Sequence, residues 1–184
     1  MSEEHTTFSP LQRTLHWLMA AGILTMLFVG VGMVSTVTPK YLPLVSFHKT
    51  LGIALLVLVA VRLLVRLRRG APPLPAEMPA PMKLAAHLSH YLLYALMIAM
   101  PLIGWAMLSA GAYPIVLLGG LHLPPIVAPS DALHALLWNA HRYLAFLFFA
   151  VVLMHLAAAL FHGLVRRDGV FSSMAPHGKR GVSG

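Results

Sequence analysis

LHALLWNAHRYLAFLFFAVVLMHLAAALFHGLV, residues 133–165, decides the fold. The run is almost wholly apolar, yet His134, His141, His155 and His162 fall on a seven-residue grid, with Phe148 at the vacant point. Seven residues are close to two helical turns, and the pattern drifts only about 20° per step. On a helix all four imidazoles therefore lie along one stripe. At about 1.5 Å per residue, 33 residues more than cross the roughly 30 Å of membrane hydrocarbon. Ionisable groups inside such a segment are costly and mark a site by default. Imidazoles at two depths of one stripe point to two bound groups.

Composition agrees. The chain has 184 residues, 59% of them hydrophobic and 10% charged, which places it among integral membrane proteins. Three further stretches are long and apolar enough to span a bilayer, at residues 11–34, 44–67 and 84–109. The connection at 68–83 carries Pro72, Pro73, Pro75, Pro79 and Pro81 and cannot be helical throughout. Residues 110–131 are apolar but broken by Gly119-Gly120, Pro124-Pro125 and Pro129. They read as a loop lying at the membrane surface, with room for a short interfacial helix. The expectation is one all-α domain over residues 1–184, an integral membrane four-helix bundle.

The formal charge of +8 at pH 7 reads as topology rather than as a nucleic-acid surface, because most cations sit at the ends of apolar runs. One side holds Arg13, Arg62, Arg66, Arg68, Arg69, Lys83, Arg166, Arg167, Lys179 and Arg180; the other holds Lys40, Lys49 and Arg142. The positive-inside rule then puts both termini and the proline-rich loop in the cytoplasm and the 110–131 loop in the periplasm. The first residues include Glu3 and Glu4, and no small-residue cleavage site follows the first apolar run, so no signal peptide is expected.

With that topology each histidine has a depth. His16 lies near the cytoplasmic start of the first span, His48 near the periplasmic start of the second, and His87 and His90 at the cytoplasmic start of the third. On the fourth, His134 and His141 are periplasmic, and His155 and His162 cytoplasmic. There is no cysteine, which excludes disulfides, iron–sulfur clusters and thiolate haem ligands. Two neutral imidazoles at matched depth on facing helices are what a six-coordinate haem b requires. The economical pairs are His48 with His141 and His16 with His155. Depth alone leaves His162 competing with His155, and His134 with His141. The plainer reading of His134 and His162 is that they are interfacial, bonded to water or to propionates. A zinc site would need ligands clustered at one level with carboxylate or thiolate support, which is missing here.

Several motifs, taken together, resemble the bacterial cytochrome b561 family. They are His16-Trp17, Phe47-His48-Lys49-Thr50-Leu51-Gly52, His87-Leu88-Ser89-His90-Tyr91 with Pro101-Leu102-Ile103-Gly104, His141, His155-Leu156-Ala157-Ala158-Ala159 and Arg167-Asp168-Gly169-Val170. The resemblance runs from about Phe8 to Met174. It implies a di-haem b protein of the bacterial inner membrane whose axial ligands fall on His16, His48, His141 and His155. Many relatives have His-Glu where this chain has His141-Arg142, so the charge beside the periplasmic haem differs.

Iron saturated by two histidines has no open position for oxygen or substrate, so its simplest use is electron transfer. On the cytoplasmic side Lys83, His87, His90 and Tyr91 are candidates for a quinone headgroup; alternatively Lys83 snorkels to lipid phosphate and His87 bonds a propionate. On the periplasmic side Lys49 and Arg142 follow proposed ligands directly, with Lys40 nearby. They either pair with propionates or steer a small anion inward. The resemblance implies two functions. One is a superoxide oxidase that passes electrons from periplasmic superoxide to membrane ubiquinone. The other is a relay subunit fed by a periplasmic dehydrogenase or hydrogenase. A channel or transporter is disfavoured by the scarcity of intramembrane polar groups other than histidine.

Overall fold

The computed structural model describes residues 7–176. Glu3, Glu4, Lys179 and Arg180 lie outside the described residues. The four long apolar helices expected from the sequence are all present: α1 (Pro10–Ser35), α2 (Tyr41–Arg69), α3 (Ala80–Ala110) and α4 (Asp131–Leu160). α4 continues without a break into a π-helical turn, Phe161–Arg166, and a short α5 (Val170–Met174) follows. Each long helix is apolar enough to cross a membrane, and most of its surface stays unburied by protein. Phe28, Leu136 and Phe146 are among the many large side chains left outward, as lipid-facing residues should be.

Local chemistry explains where the helices begin. Ser9 caps α1: its Oγ accepts from the Gln12 N–H at 3.4 Å while Gln12 Oε1 accepts from the Ser9 N–H at 3.0 Å, with Pro10 in the first turn. Gln12 Nε2 then donates to the Gly70 carbonyl at 2.8 Å, tying the start of α1 to the end of α2. α2 and α3 start earlier than the apolar runs, because Pro43 and Pro81 fall in first turns, where a missing N–H costs nothing. α4 is capped by Ser130 Oγ, which accepts from the Leu133 N–H at 3.3 Å, and Asp131 complements the helix dipole.

The bundle is assembled unevenly. α1 packs on α2, α2 on α3, and α3 most extensively on α4, while α4 makes no comparable contact with α1 or α2. A compact plug of Met19, Ile23, Val59, Leu93, Leu96, Phe148 and Val151 fills the centre. Met19, Val59 and Val151 are almost completely buried there. Arg13, Arg62, Arg66, Arg68, Arg69, Lys83, Arg166 and Arg167 share one end, and Lys40, Lys49 and Arg142 lie towards the other.

The 111–130 segment contains no helix; it folds back on itself through a single bridge between Val116 and His122. Gly119 and Gly120 turn the chain at φ +85° and +81°, a region that favours glycine and breaks a helix. This hairpin-like loop is pinned to the bundle. Trp105 Nε1 donates to the Pro124 carbonyl (2.9 Å), Ser109 Oγ accepts from the Ile126 N–H (3.1 Å), and Thr50 Oγ1 on α2 accepts from the Leu118 N–H (2.9 Å).

Candidate functional site

Two histidine pairs face each other across the space between α4 and the α1–α2 pair. At the arginine-rich end the ring centres of His16 (α1) and His155 (α4) lie 6.2 Å apart, with ring planes at 68°. At the other end His48 (α2) and His141 (α4) lie 6.1 Å apart at the same angle. Fourteen residues separate the two α4 members, about 21 Å along the helix. Phe148, midway on the same stripe, is buried in the central plug. The Nδ1 atoms of His16 and His48 are buried and have no hydrogen-bond partner among the described residues. His141 Nδ1 is likewise buried, with the Met100 carbonyl near but outside bonding geometry. α3 approaches His141 closely at Gly104, where a Cβ would stand 3.4 Å from the ring's Cε1.

The competing histidines have other partners. His134 Nδ1 lies 2.8 Å from the Met107 carbonyl near the end of α3, which also accepts from the Gly111 N–H at 3.1 Å. Its ring fills the space beside Gly111, where any Cβ would come within 2.8 Å of it. His162 is buried in the π-helical turn, with Nδ1 2.7 Å from Asp168 Oδ2. The same oxygen accepts from Arg166 Nε at 3.1 Å, and Asp168 Oδ1 accepts from the Val170 N–H at 3.3 Å, so one carboxylate caps α5 and closes the end of α4. Burial alone would raise the Asp168 carboxyl, but hydrogen bonds from His162, the Val170 N–H and Arg166 hold it below its ordinary value. Arg167 leaves the π turn in the left-handed conformation, at φ +52°. α5 docks on α1 through Trp17 Nε1, which donates to the Met174 carbonyl at 2.9 Å.

The four residues suggested for a quinone headgroup divide. His90 turns inward: its ring centre is 5.4 Å from that of His155, and its Nδ1 lies 2.6 Å from the Ala86 carbonyl. His87 and Tyr91 are exposed on the outer surface of α3, and Lys83 Nζ donates to the Ala76 carbonyl at 3.1 Å. Sequence reasoning passed over Arg62. It counted only towards topology, yet it lies beside the His16–His155 pair, with Nη1 3.7 Å from Met19 Sδ and Cζ 5.7 Å from the centre of the Tyr94 ring. The available signal was an arginine embedded in the apolar run Val57–Val65, where a cation needs a reason. At the opposite end Lys40 and Arg142 are exposed and Lys49 is half-buried.

Four lipid-facing helices with histidines turned inward, and no cysteine, define a multi-pass membrane protein of the b-type cytochrome class. The prokaryotic cytochrome b561 family matches residues 7–177 of the chain. Cytochrome b561 homolog 1 of Escherichia coli (strain K12) is 31% identical over 180 residues, covering 94% of this chain and 98% of that protein. A Yersinia pestis protein named probable superoxide oxidase CybB is 32% identical over 179 residues, covering 96% and 99%. Cytochrome b561 homolog 2 of Escherichia coli (strain K12) is 29% identical over 170 residues, covering 91% and 90%. The chain belongs to the prokaryotic cytochrome b561 family, haem b proteins of membrane electron transfer.

Proposed function

We propose that the protein carries two haem b groups, one held by His48 and His141 and one by His16 and His155. In this reading it moves electrons from periplasmic superoxide to membrane ubiquinone. One observation carries it: two histidine pairs with nearly identical geometry, stacked at two levels of one bundle. Two imidazoles bound head-on to one metal at about 2 Å each hold their ring centres about 6 Å apart, which is the separation in both pairs. Buried ring nitrogens with no protein partner, and the loose approach of α4 to α1 and α2, fit a flat group inserted between them. Among the described residues His141 and His155 each face another imidazole at this spacing, whereas the rings beside His134 are Tyr113 and Trp138 and the ring beside His162 is Phe161, which favours His155 and His141 as ligands.

A haem ligated by two histidines takes up and releases one electron with no coordination position left open. The chain supplies the rest. With the arginine-rich end in the cytoplasm, Lys40, Lys49 and Arg142 give the periplasmic mouth a positive field that concentrates a small anion. At the inner end Lys83, His87 and Tyr91 offer a cation and hydrogen-bond donors to a quinone headgroup arriving through the lipid, while His90 sits between that surface and His155. The balance is two superoxide anions, one ubiquinone and two protons giving two dioxygen molecules and one ubiquinol. The name of the Yersinia pestis relative supports this donor.

A relay subunit is the second reading, favoured by the apolar 111–130 loop, where Tyr113, Leu118, Leu121 and Ile126 are exposed as a partner's docking surface would be. Superoxide generated against the purified, oxidised protein separates the two. Rapid reduction, followed by reoxidation on adding ubiquinone, is expected. A protein that stays oxidised under superoxide, yet is reduced once a periplasmic dehydrogenase is supplied, would establish the relay.

A further inference from the structure

Among the described residues Arg62 is a cation without an anion. Its guanidinium lies seven residues inside the end of α2, against the Met19 thioether and the face of Tyr94, and Arg66 stands one turn on, 6.0 Å from the same ring. A thioether and an aromatic face are weak partners, and neither cancels a full charge at membrane depth. Three carboxylates lie among the described residues. Asp168 is taken by His162 and Arg166, Asp131 opens α4 at the other end of the bundle, and Glu77 is exposed on the proline-rich loop. None of them pairs with Arg62 or Arg66.

The place where an anion belongs is also marked. Arg62, Arg66 and Tyr94 line a cavity with Phe8, Gln12 and Met174 whose volume is about 10 Å³. That admits one water or the end of a carboxylate, whereas a ring-sized ligand needs a pocket of at least about 300 Å³. A quinone headgroup is therefore excluded from this cavity. Met19, which Arg62 touches, lies one helical turn from His16 on α1, so the guanidinium sits at the level of the inner pair.

We propose that Arg62, backed by Arg66, is the binding site for a carboxylate side arm of the group held by His16 and His155. On the reading already given, that arm is a propionate of the inner haem. The inference rests on that reading. The guanidinium cancels the propionate's charge beside the iron, and so favours the extra electron of the reduced state.

The test is an optical redox titration of the purified holoprotein in four forms: wild type, Arg62→Gln, Arg62→Lys, and the double variant Glu3→Gln, Glu4→Gln. Arg62→Gln should lower the midpoint of one haem only, raising its oxidised-to-reduced ratio about threefold to tenfold at the wild-type midpoint; tenfold corresponds to about 59 mV for one electron. Arg62→Lys, which keeps the charge, should hold that midpoint near wild type. The double variant should change neither haem. Unchanged midpoints in Arg62→Gln overturn the proposal. A shift as large in Arg62→Lys as in Arg62→Gln also overturns it, because it marks a packing role against Tyr94. A raised midpoint in the double variant shows that the chain supplies its own counter-ion to Arg62, and overturns it too. If Arg62→Gln releases the inner haem, Arg62→Lys decides: retention at the wild-type midpoint supports the proposal and loss refutes it. Failure of the underlying reading is separate, because wild-type protein would then hold fewer than two haems.

Discussion

Gly104 gives the sharpest mutational handle on the outer site. A Cβ built there stands 3.4 Å from His141 Cε1 and 3.7 Å from Nδ1, which is ordinary contact, so Gly104→Ala should fit. Valine adds two carbons about 1.5 Å beyond that Cβ, and one aimed at the ring would approach to about 2 Å, far inside the 3.5–4.0 Å optimum. Either the imidazole or α3 must then shift by about 1.5 Å. Overpacking of this kind costs about 1–3 kcal/mol, which is a factor of about 5–150 in the affinity of whatever His141 holds. The assay is haem per chain, together with the rate at which a haem-scavenging protein extracts it. Gly104→Val should lose the outer haem, or release it faster by that factor, and keep the inner one. Gly30→Val is the control, because a Cβ at Gly30 meets nothing within 4 Å. Two haems released at the wild-type rate from Gly104→Val, with unchanged midpoints, would refute the placement of His141 as a ligand.

The pairing of ligands makes its own demands. His48→Ala and His155→Ala should each remove a different haem, and the double variant His141→Ala, His155→Ala should remove both; two haems in either single variant would sink the assignment. His162→Ala and His134→Ala should keep both haems, since among the described residues neither ring faces a second imidazole; loss of a haem from either reverses that conclusion. The Asp168 tie has a pH signature. Because its carboxyl is held below the ordinary value of 3.8, the tie stabilises the folded state above that value and is lost only as pH falls through the lowered one. Trp17 fluorescence, in a variant retaining that tryptophan alone, should report α5 docked from neutral pH down to about 4 and should change at neutral pH in Asp168→Asn. A wild-type transition near pH 6 would contradict this. Finally, Arg142→Gln with Lys49→Gln should slow reduction by superoxide and flatten its salt dependence, since charges beyond about 8 Å are screened at physiological salt. Stopped-flow traces across a salt series check it, and an unchanged rate and slope would remove the steering role.

The fold was legible because membrane helices declare themselves through length and apolarity alone; spacing along α4 gave two depths for imidazoles but left His155 competing with His162 and His141 with His134, and only the family resemblance chose between them. Other features were hidden for physical reasons. Pro43 and Pro81 look like breakers in sequence but sit in first turns, so α2 and α3 start earlier than their apolar runs suggest. Nothing in Phe161–Arg166 announces a π turn, nor that His162 within it reaches forward to Asp168, a contact between residues six apart. The 110–131 segment was read as a surface loop with room for a short helix; Gly119 and Gly120 turn it back on itself instead. Depth assigned His90 to the quinone group along with its neighbours. Its rotation about α3, which turns it towards His155 while Tyr91 points out, could only come from coordinates. Arg62 was visible as a charge, but its lack of a counter-ion emerges only once every described carboxylate has a place.

The central claim is that this one chain holds two b-type haems, each between two histidines. Haem per chain, measured on purified protein together with a redox titration of its reduced-minus-oxidised spectrum, tests it most directly. The account predicts two haems per chain, both with six-coordinate b-type spectra, titrating as two one-electron components, with His48→Ala and His155→Ala each deleting a different component. One haem per chain, or two that disappear together in either variant, would contradict it.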